Sequence, residues 1–143
     1  MCSVIDSTIR FDTSSGKAGN FKVKATTSNG DLTTRIVSAP LDSVINVDAR
    51  TSNSRASIDI PTTYEGGFTL STSNSVPDVH RASDHERDPA CPDHSDCRSR
   101  RRSLEIYGIS EGKASGSVFW DRKNSGRGNV ALTTSNRPVA LYL

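Results

Sequence analysis

The sequence predicts an all-β, single-domain protein spanning residues 1–143, a β-solenoid of roughly five to six coils. Three observations predict it. The triplet Thr-Ser-Asn occurs four times, beginning at Thr27, Thr51, Thr72 and Thr134. Apolar residues alternate with polar ones on both sides of the copies, the period of strands with one buried face. The spacing is 24 residues from Thr27 to Thr51 and 21 from Thr51 to Thr72, within the range that marks stacked repeats. A β-sandwich of hairpins is the alternative, because Ser28-Asn29-Gly30-Asp31 also suits a hairpin turn.

The strand before each corner comes first. Two and four residues ahead of the threonine stand Ala25 and Val23, Ala49 and Val47, Leu70 and Phe68, and Leu132 and Val130. Six ahead stand Phe21 and Ile45 in the first two copies, but Gly66 and Gly128 in the others. The strand after the corner begins five residues on, at Leu32, Ala56, Pro77 and Val139, and the third copy then supplies only Val79. A step of five is odd, so the inward-facing parity changes across the triplet. A regular strand cannot do this, because its side chains alternate strictly.

Each triplet is therefore a corner, and asparagine suits a corner because it tolerates the left-handed region and bonds nearby backbone. Stacked coils bring equivalent corners to one strand spacing, ~4.8 Å. Asn29, Asn53, Asn74 and Asn136 are then expected to bond along the stack as a ladder. Chain order makes Asn53 interior and Asn136 terminal, so Asn53→Ala is expected to be the more damaging change. Two degenerate copies extend the pattern: Leu104, Ile106 and Gly108 before Ser110, and Ile9 and Phe11 before Thr13.

Composition limits the function classes. Apolar residues make up 33% of the chain and the mean hydropathy is −0.51, so the core must be narrow. The formal charge of +2 gives no whole-molecule argument for nucleic acid or membrane binding. No basic segment followed by an apolar stretch opens the chain, and no run approaches the ~20 apolar residues of a membrane span. No Asn-x-Ser/Thr acceptor occurs. Cys2, Cys91 and Cys97 are an odd number in polar surroundings, a poor basis for a disulfide framework. As written, the chain reads as intracellular, without membrane insertion.

The stretches "ARTSNSRASIDIPTTYEGGFTLSTSNS" and "ASGSVFWDRKNSGRGNVALTTSNRPVALYL" resemble the adhesin-like β-strand-repeat domains, in particular a fungal branch that is a domain of unknown function. The likeness runs from about Asn20 to the C-terminus. It implies a right-handed β-solenoid-like fold, with no catalytic residues and no cofactor to carry over. The present chain starts later than such domains usually do.

From Thr72 to Ser110 is 38 residues, too long for one coil, and the excess is expected to form a mobile surface loop at 80–103. His85, Cys91, His94 and Cys97 lie there, all zinc-ligand types. Their spacing matches no CxxC or HxxxH pairing, and a polar loop without metal is the favoured reading. A Cys91–Cys97 bridge is compatible with local geometry but unsupported by the apparent compartment. Arg98, Arg100, Arg101 and Arg102 follow Asp84, Glu86, Asp88, Asp93 and Asp96. That arrangement reads as a solvated, self-complementary loop rather than a nucleic-acid site, because no aromatics interleave the arginines.

Catalysis finds little support. Asp48, Asp59, Glu65, Glu105 and Asp121 fall in different registers, and all three histidines lie in the interruption. Trp120 is expected to fill core, and Asn124–Asn129 to form a turn rather than a phosphate loop. The expectation is a non-catalytic, adhesin-like binding module for a protein or glycan surface. The alternative is a carbohydrate-active β-helix enzyme, a glycan lyase or hydrolase. Replacing 81–102 by a short Gly/Ser linker is expected to leave the thermal midpoint within a few degrees, because surface loops make few contacts.

Overall fold

A computed structural model describes residues 3–12, 15, 17–81, 86–91, 97 and 100–143. Among these the chain is all-β, with a short 3-10 turn at Arg122–Asn124 and no α-helix. The strands are β1 (Ile5–Arg10), β2 (Asn20–Thr27), β3 (Leu32–Ser38), β4 (Val44–Thr51), β5 (Ala56–Asp59) and β6 (Gly66–Ser71). They continue as β7 (Asp78–His80), β8 (Ser103–Ser110), β9 (Lys113–Phe119), β10 (Asn129–Thr134) and β11 (Val139–Tyr142).

Two open sheets share one core in a sandwich-like layering. The first has the order β1-β3-β5-β11-β7 and every neighbouring pair is parallel. The second has the order β2-β4-β10-β6-β9-β8. It is parallel from β2 to β6, after which β9 and β8 add as an antiparallel pair. Each Thr-Ser-Asn joins a strand of the mixed sheet to a strand of the parallel sheet, so β2–β3, β4–β5, β6–β7 and β10–β11 are not hairpins. The hairpin turns of the alternative reading are absent at the triplets; a tight antiparallel turn lies between β8 and β9, at Glu111-Gly112, where Gly112 has φ 88°.

The parity argument holds at the corners. Ile45, Val47 and Ala49 face the core from β4, and five residues past Thr51 the inward row resumes with Ala56, Ile58 and Ile60. The threonine of each triplet points inward, with Thr51, Thr72 and Thr134 all buried. Its hydroxyl donates to a backbone carbonyl of the next corner: Thr51 to Gly30 at 3.2 Å, Thr134 to Ser54 at 2.9 Å and Thr72 to Arg137 at 2.9 Å. Outside the corner the asparagines form the expected ladder. Asn53 Nδ2 donates to Asn29 Oδ1 at 2.8 Å, Asn136 to Asn53 at 2.8 Å, and Asn74 to Asn136 at 3.1 Å.

The order along the ladder is not the order along the chain. The last unit, β10–β11, is seated between β4–β5 and β6–β7, so Asn136 is an interior rung and Asn29 and Asn74 are the ends. Glycine at the start of β6 and β10 follows from this packing. A Cβ on Gly128 would lie 2.4 Å from the carbonyl oxygen of Ile45, and one on Gly66 would lie 2.6 Å from that of Gly128.

The degenerate copies are corrected as well. Leu104 to Ser110 is the edge strand β8, with a bulge between Ile106 and Gly108, and Ser110 leads into the hairpin instead of a corner. The first unit, β1, pairs with β3, a strand that follows a corner, whereas the sequence reading made Ile9 and Phe11 precede one.

The ladder gives a definite ordering. Asn53→Ala and Asn136→Ala each remove two amide bonds and are expected to cost about the same, ~1–2 kcal/mol, because these bonds are exposed. Asn29→Ala, which removes a single ladder bond, is expected to cost about half as much. Denaturant melts of the three variants check this, and a mild Asn136→Ala beside a severe Asn53→Ala would contradict the strand order.

Candidate binding groove

The corner also sets what the outer face of the parallel sheet carries. Residues four, six and eight after each triplet threonine share the outward parity. Register brings the sixth positions into one row, Thr33 beside Ser57, Ser57 beside Ala140 and Ala140 beside Asp78. The eighth positions form the next row, Arg35, Asp59, Tyr142 and His80. Small side chains in the first row and long ones around it leave a shallow groove of about 490 Å³ crossing four strands. Its floor is Thr33, Ser57 and Ala140, and its rim is Asp31, Arg55, Asp78, His80 and Tyr142.

The rim is braced from within. His80 and Tyr142 stack with ring centroids 4.7 Å apart and planes 9° apart, an offset aromatic contact that fixes both rings. Tyr142 remains 43% exposed, so the ring is available to a ligand. Asp31 accepts from the Arg55 backbone N–H at 3.2 Å, and Arg35 is held to Asp59 at 2.9 Å. The groove therefore offers an aromatic pair, two carboxylates, a guanidinium and hydroxyls on a rigid sheet. That set suits a polar ligand with many hydroxyl groups and an apolar ring face.

The outer face of the mixed sheet has a smaller concavity of about 280 Å³ around Asn46, Asp48, Arg50 and Ala131. There Arg50 donates twice to Asp48, at 2.8 and 3.1 Å. That hydrogen bonding holds the Asp48 carboxyl below its ordinary range.

Each carboxylate considered for catalysis is engaged by a partner within the fold. Asp48 is bound by Arg50 and Asp59 by Arg35. Glu65 accepts from the backbone N–H groups of Trp120 and Asp121 at 2.8 and 3.0 Å and from Asn124 Nδ2 at 2.9 Å. Glu105 pairs with Arg122. Asp121 caps the 3-10 turn through Lys123 N, which lowers its pKa. Trp120 is buried and its indole donates to the Thr62 carbonyl at 2.8 Å, and the run Asn124–Asn129 leads from the 3-10 segment through a turn at Ser125-Gly126 into β10.

The interruption differs from expectation at its anchors. Cys91 and Cys97 form a disulfide with their Cα atoms 5.8 Å apart, so these two sulfurs are joined to each other and cannot act as the zinc thiolates considered above. His85 and His94 lie outside the described residues, and among the described residues no cluster of three metal-ligand side chains occurs. The bridge also removes the cysteine argument for an intracellular location. Among the described residues no helix is long and apolar enough to cross a membrane.

Arg100 and Arg102 pair with upstream carboxylates, as self-complementarity requires: Arg100 with Asp88 at 3.4 Å and Arg102 with Glu86 at 3.6 Å. Arg102 is nevertheless not solvated. It is 5% exposed and donates to the carbonyls of Pro61 and Tyr64 at 2.9 and 3.0 Å. Burial lowers its pKa, opposed by Glu86 and Glu65. Burial likewise pushes the Tyr64 phenol up, and that phenol donates to Gly67 O at 2.6 Å.

No family model matches the chain, and no curated protein or solved structure matches it either. The groove residues went unnoticed as a site in the sequence, although the constant offsets from the triplet were there to reveal them.

Arg102 makes the interruption part of the fold at its distal end. Arg102→Ala removes a buried guanidinium and strands two carbonyls, at an expected ~3 kcal/mol, or a fall in midpoint on the order of 10 °C. A linker that keeps Arg100–Arg102 is expected to be tolerated and one that removes them is not. Thermal melts of the two replacements, compared with each other, check this.

Proposed function

We propose that this protein is a non-catalytic, adhesin-like binding module that takes a glycan on the outer face of its parallel sheet. The observation that carries the reading is the groove over Thr33, Ser57 and Ala140, rimmed by Tyr142, His80, Asp78, Asp31 and Arg55. All-parallel sheets are usually covered on both faces. An uncovered one with a row of small polar residues and a braced aromatic pair suits a hydroxyl-rich chain. Sugar rings present apolar C–H faces to aromatic rings and hydroxyls to carboxylates and guanidinium groups.

The four strand–corner–strand units read as coils of a β-solenoid, the last of them seated between the second and third. The likeness of its repeats to adhesin-like β-strand-repeat domains supports the same class. The Cys91–Cys97 bridge supports work in an oxidising compartment.

A glycan array followed by calorimetry tests the reading. Tyr142→Ala, at a half-exposed position, is expected to weaken the best glycan at least ~10-fold while leaving the melting temperature nearly unchanged. Asp48→Ala, on the other sheet, is expected to leave binding alone. Absence of any glycan ligand, or binding indifferent to Tyr142, would refute the proposal. Release of new sugar ends on incubation would favour the lyase or hydrolase alternative.

A further inference from the structure

One end of the two-sheet stack leaves one strand, β1, with no strand opposite and the other leaves two, β9 and β8, and the overhangs lie in different sheets. At one end the parallel sheet continues past β3 to β1, whereas the mixed sheet stops at β2. At the other end the mixed sheet continues past β6 to β9 and β8, whereas the parallel sheet stops at β7. Ile5 and Ile9 of β1 sit beside Leu32 and Ile36 and share their inward face. They remain half-buried, although Leu32 is 0% and Ile36 2% exposed. On β8, Ile106 and Ile109 sit beside Gly116 and Ala114. Their exposures are 42% and 53%, although Ala114 is at 0%.

The two edges also match in register. Following the paired residues across the mixed sheet, Val23, Val47, Val130, Phe68, Gly116 and Ile106 form one row. The row that starts at Ala25 ends at Ile109, and the row that starts at Lys22 ends at Glu105. Two rows thus run from an apolar edge residue to an apolar edge residue, and a third runs from a cation to an anion. Strand sense agrees as well. β9 opposes β6 and β8 opposes β9, so β8 runs in the same direction as β2.

We propose that the partner of each end is the other end of a second copy of this chain. β8 of one molecule pairs with β2 of the next and continues the mixed sheet in parallel register. Ile106 then meets Val23, Ile109 meets Ala25, and Glu105, already near Arg122, meets Lys22. β1 of the incoming copy lies over the inward face of β8, so the half-buried Ile5 and Ile9 and the exposed Ile106 and Ile109 cover one another. The contact is heterologous, so it propagates into an open row of copies and not a closed dimer. Exposed edges of this kind are templates for strand addition.

Sedimentation velocity of the whole chain over a wide concentration range tests this. The wild type is expected to give a concentration-dependent ladder of species beyond the dimer. Ile109→Lys blocks one end and Val23→Lys the other, because each places an unpaired charge in the contact. Each is expected to raise the midpoint concentration roughly 30-fold or more. Mixed in equal amounts, the two variants expose one intact end each and are expected to form a dimer and nothing larger.

Circular dichroism confirms that each variant is folded; should Val23→Lys fail to fold, Lys22→Glu on the outer face of β2 replaces it. Three outcomes overturn the proposal. The wild type could stay monomeric throughout, leaving the strip to some other partner. The wild type could stop at a dimer. The mixed variants could fail to associate.

Discussion

The fold depends on what happens at one corner. The chain must pass from one sheet to the other while changing which parity faces the core, and it must do so beside an identical corner ~4.8 Å away. Three residue types meet these demands together. Threonine turns inward and its hydroxyl satisfies a carbonyl of the adjacent corner, as between Thr134 and Ser54. Serine supplies backbone for the link, so that Ser135 N donates to Ser52 O at 3.2 Å. Asparagine turns outward, where its amide both accepts and donates along the stack. No single residue type could meet all three, and the same set must recur because each corner is the partner of the next.

The corner and the strand faces were readable in the sequence because they are local. Parity, the odd step and the ladder all follow from residues within about ten positions of a triplet. The stacking order was not readable in the same way, since it is a choice among non-local pairings. Even so, the third copy carried a signal. Pro77 and the lone Val79 give it a short strand, β7, suited to a sheet edge. The fourth copy has the full run Val139, Leu141 and Leu143, all buried, which suits an interior position. Gly66 and Gly128 share the position six before the corner, another sign that the third and fourth units are neighbours. Equal spacing suggested sequential stacking, and that is where the reading failed.

The groove was hidden for a different reason. Thr33, Ser57, Asp78 and Ala140 have no feature in common except their offset of six from a threonine. The site is made by their alignment and by the stacking order that puts Tyr142 next to His80. The Cys91–Cys97 bridge was allowed by local geometry, at a separation of six residues, but the apparent compartment gave no support for it. Arg102 was missed because charge runs are usually solvated. Here the run ends under Pro61 and Tyr64, where two carbonyls need a donor and water is excluded.

Seating the last unit in the middle of the stack couples the parts of the molecule. β10 joins β4 to β6, and β11 joins β5 to β7, so the first two units and the third touch chiefly through the fourth. The groove floor includes Ala140 and its rim includes Tyr142, so the groove is incomplete until β11 is docked. Long-range parallel pairing of this kind carries a large loop-closure cost before its contacts are made. The Thr and Asn rungs offset part of that cost at the point where the late unit enters, since it meets a matching corner on each side. A corner that serves as both turn and docking register accounts for the same triplet standing in all four units.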